Sequence, residues 1–269
     1  MREPLLPPRF RARDPELCAR LTRAQDPLVL LDYDGTLRAF VVDPSEAVPD
    51  DRILRVLRAL SEAATVYVVS GRDGATLERW LGQLPIGLVA EHGLELRPPD
   101  APWQRLVHVS GAALTELVRP VFDEFTRTTP GSRVEAKTAA LAWHYRGADP
   151  FHGRAQATAL ALRLEAVLDG HPYAILAGAC VVEVRHEQVS KGRALVHLLE
   201  RYPAADCLLC AGDDRTDEDM LRAIPESWRP RAITCWVGGA NPWATYVAES
   251  PAALLSELEQ VVSIWKTAS

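Results

Sequence analysis

The apolar run Leu28–Leu31 stops at Asp32-Tyr33-Asp34-Gly35-Thr36, and strand-like and helix-like patterns alternate after it. Ile53, Leu57, Leu60 and Ala64 recur at helical spacing behind Pro49-Asp50-Asp51, a good helix opening. Thr65–Val69 is a β-rich run ending at Ser70-Gly71-Arg72-Asp73. Leu77, Trp80, Leu81 and Leu84 mark a shorter helix, and Gly87–Ala90 is a third strand, ending at Glu91-His92-Gly93. Strands alternating with helices predict a parallel sheet covered on both faces, in which ligands bind beyond the carboxyl ends of the strands. Each polar cluster sits at such an end.

The middle of the chain has a different rhythm. Leu114, Leu117, Val118, Val121, Phe122 and Phe125 make an amphipathic helix, and Ser132–Lys137 with Ala140–Tyr145 form a hairpin turning near Thr138-Ala139. A long helix is predicted over Arg154–Leu168, then a second strand pair, Tyr173–Leu176 and Val181–Arg185, around Gly178. That order suits a small α+β domain with an antiparallel sheet. From Lys191 the first pattern resumes with a helix through Leu195, Leu198 and Leu199. The apolar run Cys207–Ala211 follows, capped by Gly212-Asp213-Asp214-Arg215-Thr216-Asp217-Glu218. A short helix around Met220–Ile224, the run Ala232–Val237 and a closing helix through Leu254, Leu255, Leu258, Val261, Val262 and Trp265 complete the chain. The expected α/β fold is a doubly wound, Rossmann-like parallel sheet core over 26–108 and 187–269, with an α/β domain inserted at 109–186. The proline-rich opening, 1–25, reads as a loose N-terminal arm.

At 269 residues, 48% of them hydrophobic and 25% charged, the chain has ample length for a core and a globular balance. A formal net charge of -6 gives no footing for nucleic acid. No apolar run approaches the ~18 residues of a membrane span. The opening does not read as a signal peptide, so a cytoplasmic location is expected. Five cysteines in no regular frame argue against a disulfide scaffold. Cys207 and Cys210 lie in one apolar strand whose alternation sends them to different faces, which favours buried thiols over a redox or zinc pair.

Two strands ending in acid clusters point to one shared cation site, because carboxylates that close repel each other without a positive charge between them. For each segment alone, a turn after a strand or an N-cap before a helix serves as well. Attack on a phosphate monoester needs a nucleophile, cations to offset the phosphoryl charge, and a proton for the leaving alcohol. Asp32 is the candidate nucleophile, giving an aspartyl-phosphate. Asp34 would protonate the departing oxygen and then deprotonate the attacking water, its carbonyl ligating the metal. Asp213, and Asp214 directly or through water, complete a set of Asp32, Asp34, Asp213 and Asp214 for Mg2+, the ion favoured by ligand hardness. Asp217 is expected behind them, holding a lysine. Ser70 and the Gly71 N–H are phosphate donors, or Ser70 is an ordinary N-cap. Lys191 opens a helix against its dipole, a cost explained if it neutralises Asp32 and binds phosphate; otherwise it is a solvated surface lysine.

Asp32-Tyr33-Asp34-Gly35-Thr36-Leu37, Ser70-Gly71-Arg72, Lys191-Gly192 and Gly212-Asp213-Asp214-x-x-Asp217 resemble the four ordered motifs of the haloacid dehalogenase (HAD) superfamily of phosphatases. Within it, the chain is similar almost end to end to trehalose-6-phosphate phosphatases. Supporting stretches are Ser70-Gly71-Arg72-Asp73, Glu91-His92-Gly93, Val134-Glu135-x-Lys137, His144-Tyr145-Arg146 and Val182-Glu183-Val184-Arg185. The resemblance implies a HAD-like core with a moving α/β cap inserted between the second and third motifs. It also implies Mg2+-dependent hydrolysis of trehalose 6-phosphate and a functional link to a trehalose-phosphate synthase. On the same grounds Glu135, Lys137 and Glu183 would hold the distal glucose, while Arg72 and His92 orient the proximal sugar or the phosphate. Alternating charges on a hairpin, taken alone, form a solvated face. The chain departs from the family at Gly178-Ala179-Cys180, where Gly-Lys is common, and at His186, where proline is usual. Rival expectations are a capped phosphatase acting on sucrose phosphate, mannosyl-phosphoglycerate or a hexose phosphate, and a non-catalytic sugar-phosphate sensor or synthase partner. A sensor has no need of both Asp32 and Asp34.

Overall fold

The computed structural model describes residues 7–41, 43–178 and 180–268. Its strands are β1 Pro27–Asp32, β2 Thr65–Val69, β3 Gly87–Ala90, β4 Glu95–Arg97, β5 Gln104–Arg105, β6 Arg133–Ala136, β7 Ala140–His144, β8 Tyr173–Gly178, β9 Val181–His186, β10 Cys207–Gly212, β11 Ala232–Val237 and β12 Tyr246–Ala248. The helices are α1 Pro15–Arg23, α2 Asp51–Ser61, α3 Gly74–Leu81, α4 Gly111–Thr128, α5 Pro150–Leu168, α6 Lys191–Arg201, α7 Arg215–Arg222 and α8 Pro251–Ala268. Two compact units emerge: one runs to Leu106 and resumes at Ser190, and the other is Val107–Val189.

The larger unit is built on a sheet ordered β12-β11-β10-β1-β2-β3-β4-β5. Pairing is parallel from β12 to β3 and antiparallel at β3–β4 and β4–β5. From β1 the order runs outward through β2 and β3 on one side and through β10 and β11 on the other. The boundary between β1 and β10 is therefore the topological switch point, where such sheets open a crevice for ligands. Register keeps the strand ends level there, with Leu31 opposite Ala211 and Asp32 opposite Val69.

Alternation along each strand divides its side chains between two cores. Val29, Leu31, Val66 and Val68 join α1, α2, α3 and α8 on one face, while Leu28, Leu30, Tyr67 and Val69 join α6 and α7 on the other. The two cysteines of β10 follow the same rule: Cys207 and Cys210 are both buried, on opposite faces. Burial pushes the Cys207 thiol up to about 12 and raises that of Cys210 as well.

The loose arm expected over 1–25 needs correction. Residues 1–6 lie outside the described residues, but from Pro7 on the segment is part of the fold. Arg9 bridges to Val247 beside β12, and Asp14 caps α1 by accepting from Glu16 N, with Pro15 at the first turn. Leu17 and Leu21, one helical turn apart, are fully buried in the core shared with α8. Trp265 Nε1 donates to Leu21 O at 3.0 Å. One of the prolines of this segment, Pro15, opens a helix.

The smaller unit has an antiparallel sheet ordered β6-β7-β9-β8. Leu114, Val118 and Phe122 of α4 and Leu160 and Leu164 of α5 pack on Leu141, Trp143, Val182 and Val184. One sheet face is thereby committed to the core. The opposite face carries the charged residues.

Candidate active site

Asp32 is the last residue of β1, and the chain must turn at once to clear the strands beside it. Gly35 makes the turn with φ +90°, and a Cβ there would lie 2.1 Å from Asp213 Oδ2. No L side chain fits that space or favours that backbone. Thr36 then donates its hydroxyl to Asp213 Oδ1 at 3.0 Å. The tips of β1 and β10 are thus joined through a hydrogen bond and a glycine-only contact.

Lys191 enters from the start of α6, where Ser190 Oγ caps the helix by accepting from Arg193 N at 3.1 Å. Its Nζ lies 2.6 Å from Asp32 Oδ1 and 2.7 Å from Asp217 Oδ1, and the side chain is 2% exposed. It is no surface lysine. Asp217 Oδ2 accepts from the backbone N–H groups of Asp213 and Asp214 at 3.1 and 3.2 Å. Asp217 therefore orients both the lysine and the β10 tip.

Asp32, Asp213 and Asp217 bring carboxylate oxygens within 4.8 Å of one another. The Asp34 and Asp214 carboxylates make other bonds, which leaves the expected Asp34 carbonyl and a water-mediated Asp214 untouched. Asp214 Oδ1 caps α7, accepting from Thr216 N at 2.8 Å, Thr216 Oγ1 at 2.7 Å and Asp217 N at 3.1 Å. This is a capping box, and it starts the helix at Arg215 rather than near Met220. Asp34 faces Arg72, whose Nε and Nη2 donate to its two oxygens at 2.8 and 2.6 Å.

Electrostatics fit a divalent cation. Asp32 Oδ2 is buried without a hydrogen-bond partner, an expensive state for a carboxylate oxygen. Burial pushes Asp32 up to about 7, with Asp213 and Asp214 adding to the rise and Lys191 opposing it. Burial likewise pushes Asp213 up to about 7, aided by Asp217 and Asp214. Asp217 is also raised, by burial and then by Asp32. Burial works against the charge on Lys191, but Asp217 and Asp32 outweigh it and raise its pKa. One lysine among four carboxylates leaves excess negative charge around hard oxygen donors, the setting for a cation such as Mg2+.

Ser70 N donates to Val89 O at 2.9 Å, and Ser70 Oγ accepts from Arg72 N at 3.1 Å. His92 lies over Gly71, where a Cβ would come within 2.5 Å of the imidazole. Glu91 and His92 hold left-handed φ of 44° and 58°. His92 N bonds Ser70 O and Glu91 N bonds Arg72 O, each at 2.9 Å, so the turn after β3 is tied to the turn after β2. Strain concentrated in such a turn is typical of a functional site.

In the smaller unit, Glu135 and Glu183 flank Ala142 from neighbouring strands and share one face. Lys137 Nζ pairs with Glu183 Oε2 at 2.6 Å, and Glu135 Oε2 with His144 Nε2 at 2.7 Å. The His144 bond, helped by Lys137, holds Glu135 down to about 2. The Glu183 side chain is only 9% exposed, whereas Glu135 is 41% exposed, so the face is buried at Glu183 and open at Glu135. At the departures from the family pattern, Ala179 lies outside the described residues, Cys180 has φ 63°, and His186 accepts from Gln188 N at 3.2 Å. Missed from the sequence was Trp80, read as one more core position of α3; Arg72 stacks on its ring at 5.1 Å.

An acid-tipped β1, a Ser-Gly-Arg tip on β2, a buried lysine opening α6 and an acid-tipped β10 gather at one switch point of a fold shared with a solved haloacid dehalogenase-like hydrolase from Bacteroides thetaiotaomicron, at 16% identity and a TM-score of 0.60. The family model described as trehalose-phosphatase matches residues 30–237. The chain belongs to the trehalose-phosphatase family. It is 40% identical over 249 residues to the bifunctional trehalose-6-phosphate synthase/phosphatase of Thermoproteus tenax, covering 91% of this chain and 33% of the relative. To the trehalose-phosphatase of Schizosaccharomyces pombe it is 38% identical over 216 residues, 77% of this chain and 26% of the relative. The solved C-terminal domain of C. albicans trehalose-6-phosphate phosphatase superposes with a TM-score of 0.87 at 32% identity, covering 96% of this chain and 98% of that one. This chain thus spans about a quarter to a third of the length of the curated relatives it matches. Among the described residues, no helix is long and apolar enough to cross a membrane.

Proposed function

We propose that this chain hydrolyses trehalose 6-phosphate to trehalose and phosphate through an aspartyl-phosphate on Asp32. The observation that carries the reading is the buried Lys191 bridging Asp32 and Asp217 beside an unpartnered Asp32 Oδ2, in a chain of the trehalose-phosphatase family. Asp32 attacks phosphorus as the bond to the sugar oxygen breaks, and Asp34 gives its proton to that oxygen. Water then attacks the phosphorylated Asp32, Asp34 accepts the water proton, and phosphate leaves with the Asp32 carboxylate restored. Lys191, the Ser70 hydroxyl and the Gly71 N–H bind the phosphoryl oxygens.

Asp32 Oδ2, the Asp213 carboxylate and the Asp34 backbone carbonyl are the donors for Mg2+, with Asp214 reaching it through water, since Asp217 is used on both oxygens and Asp214 Oδ1 caps α7. Bound there, the ion offsets charge on the phosphoryl group. Glu135, Lys137 and Glu183 take the distal glucose hydroxyls, and Arg72 with His92 the proximal sugar or the phosphate. Paired charged groups suit a ligand with many hydroxyls and little apolar surface. A trehalose-phosphate synthase is the functional partner that supplies substrate. Five unpaired cysteines fit the cytoplasm as the setting. The test is phosphate release from trehalose 6-phosphate beside glucose 6-phosphate, sucrose phosphate and mannosyl-phosphoglycerate. A kcat/KM for trehalose 6-phosphate at least about tenfold above the others supports the reading, equivalent to about 1.4 kcal/mol of transition-state preference. Equal or higher values on another sugar phosphate would replace the substrate.

A further inference from the structure

Behind Asp34 stands a stack of side chains, of which only Arg72 has a part in the proposed reaction. The Arg72 guanidinium forks onto both Asp34 oxygens at 2.8 and 2.6 Å. Its central carbon lies 5.1 Å from the centre of the Trp80 ring. Trp80 in turn meets Tyr33 with ring centres 5.5 Å apart, and the Tyr33 hydroxyl donates to Ala47 O at 2.6 Å. Tyr33 sits between Asp32 and Asp34 in the chain, so the stack begins and ends in the same turn. Trp80 lies on α3, whose N-cap is Asp73, the residue after Arg72. One short segment therefore carries both the fork and the surface that seats it.

We propose that Trp80 is a positioning residue for the leaving-group proton, acting through Arg72. This rests on the proposed role of Asp34 as the acid. An arginine side chain has many rotamers, and a fork aimed at a carboxylate holds one direction only if something fixes the guanidinium plane. The face of an indole does this, through both contact and cation–π attraction. The fork uses one lone-pair site on each Asp34 oxygen, and a carboxylate has about four such sites. The remaining sites carry the proton that passes to the sugar oxygen as the P–O bond to the sugar breaks and the P–O bond to Asp32 forms. Tilting the fork turns that proton away from the leaving oxygen. Misplacement by about 1 Å costs on the order of 100-fold in rate.

The experiment compares Trp80→Leu, Trp80→Phe and Leu77→Ala, a fully buried neighbour on α3 that sets the cost of core truncation alone. The readout is kcat/KM for trehalose 6-phosphate and for p-nitrophenyl phosphate. This ratio covers steps up to loss of the leaving group, and nitrophenoxide leaves without a proton. Trp80→Leu is expected to lose roughly 30- to 100-fold on trehalose 6-phosphate and less than about threefold on the aryl ester. Trp80→Phe, which keeps an aromatic face, should recover most of the loss, and Leu77→Ala should affect both substrates alike. Equal losses on the two substrates in Trp80→Leu, or equal impairment of the Phe and Leu variants, would overturn the proposal. The Phe/Leu comparison decides by itself if the aryl ester is a poor substrate. A wild-type protein inactive on trehalose 6-phosphate would instead refute the proposed function, a distinct result.

Discussion

Replacing Lys191 with Met keeps the stem and removes the ammonium that joins Asp32 and Asp217. Both carboxylates are buried, and both hydrogen bonds to Nζ, at 2.6 and 2.7 Å, are lost. Breaking a buried ion pair from one side costs about 3–5 kcal/mol, because the remaining charge is left without a counterion. At roughly 2–4 °C per kcal/mol for a chain of this size, the expected loss is about 10 °C in Tm. The loss must also depend on pH. Without the lysine, the folded-state pKa values of Asp32 and Asp217 rise further above the unfolded value, so folding weakens as pH climbs from that value through the folded one. Lys191 itself has a raised pKa, so its contribution in wild type is intact at any pH below the ordinary lysine value. The gap between wild type and variant should therefore be wide at pH 8 and narrow at pH 5.5. Thermal unfolding by circular dichroism in a chelating buffer measures it. A Tm loss equal at the two pH values, or none at all, would refute the assignment of Lys191 as the buried counterion.

Magnesium should stabilise the protein more at pH 8 than at pH 5.5. Asp32 and Asp213 are pushed up to about 7, so the empty site grows more repulsive as pH rises past the unfolded carboxylate value and the deprotonated form binds the ion. A concentration of 100 times Kd is worth about 2.7 kcal/mol, or roughly 5–10 °C at pH 8, read by the same unfolding assay. Gly35→Ala forces a left-handed φ on alanine and drives a methyl into the Asp213 carboxylate, so metal affinity measured by calorimetry should fall at least about tenfold. Leu21→Ala should cost about 2–5 kcal/mol in urea unfolding, since Leu21 is a core residue; a loose arm would give no change.

Much of the fold was legible because strands buried on both faces announce themselves as short apolar runs, and their polar ends mark the switch point. The short strands β4, β5 and β12 escaped because two or three residues carry no period. Helix α1 was hidden behind Pro7, Pro8 and Pro15, although Leu17 and Leu21 stand one turn apart and Asp14-Pro15 is a proper start. Within the site, acid residues were easy to find and hard to assign. Asp214 and Asp217 have the spacing of a capping box, and the cap takes one oxygen of Asp214. Asp34 is taken by Arg72, a partner distant in sequence that no spacing rule could supply. The paired charges Lys137–Glu183 and Glu135–His144 depend on strand register, which period alone does not set.

Asp32 is the proposed nucleophile that accepts the phosphoryl group. Asp32→Asn keeps the shape, removes a carboxylate that burial already disfavours, and should fold with a Tm at or above that of wild type. Phosphate release from trehalose 6-phosphate by this folded variant tests that role: none above background is expected, and turnover near the wild-type rate would remove Asp32 as the nucleophile.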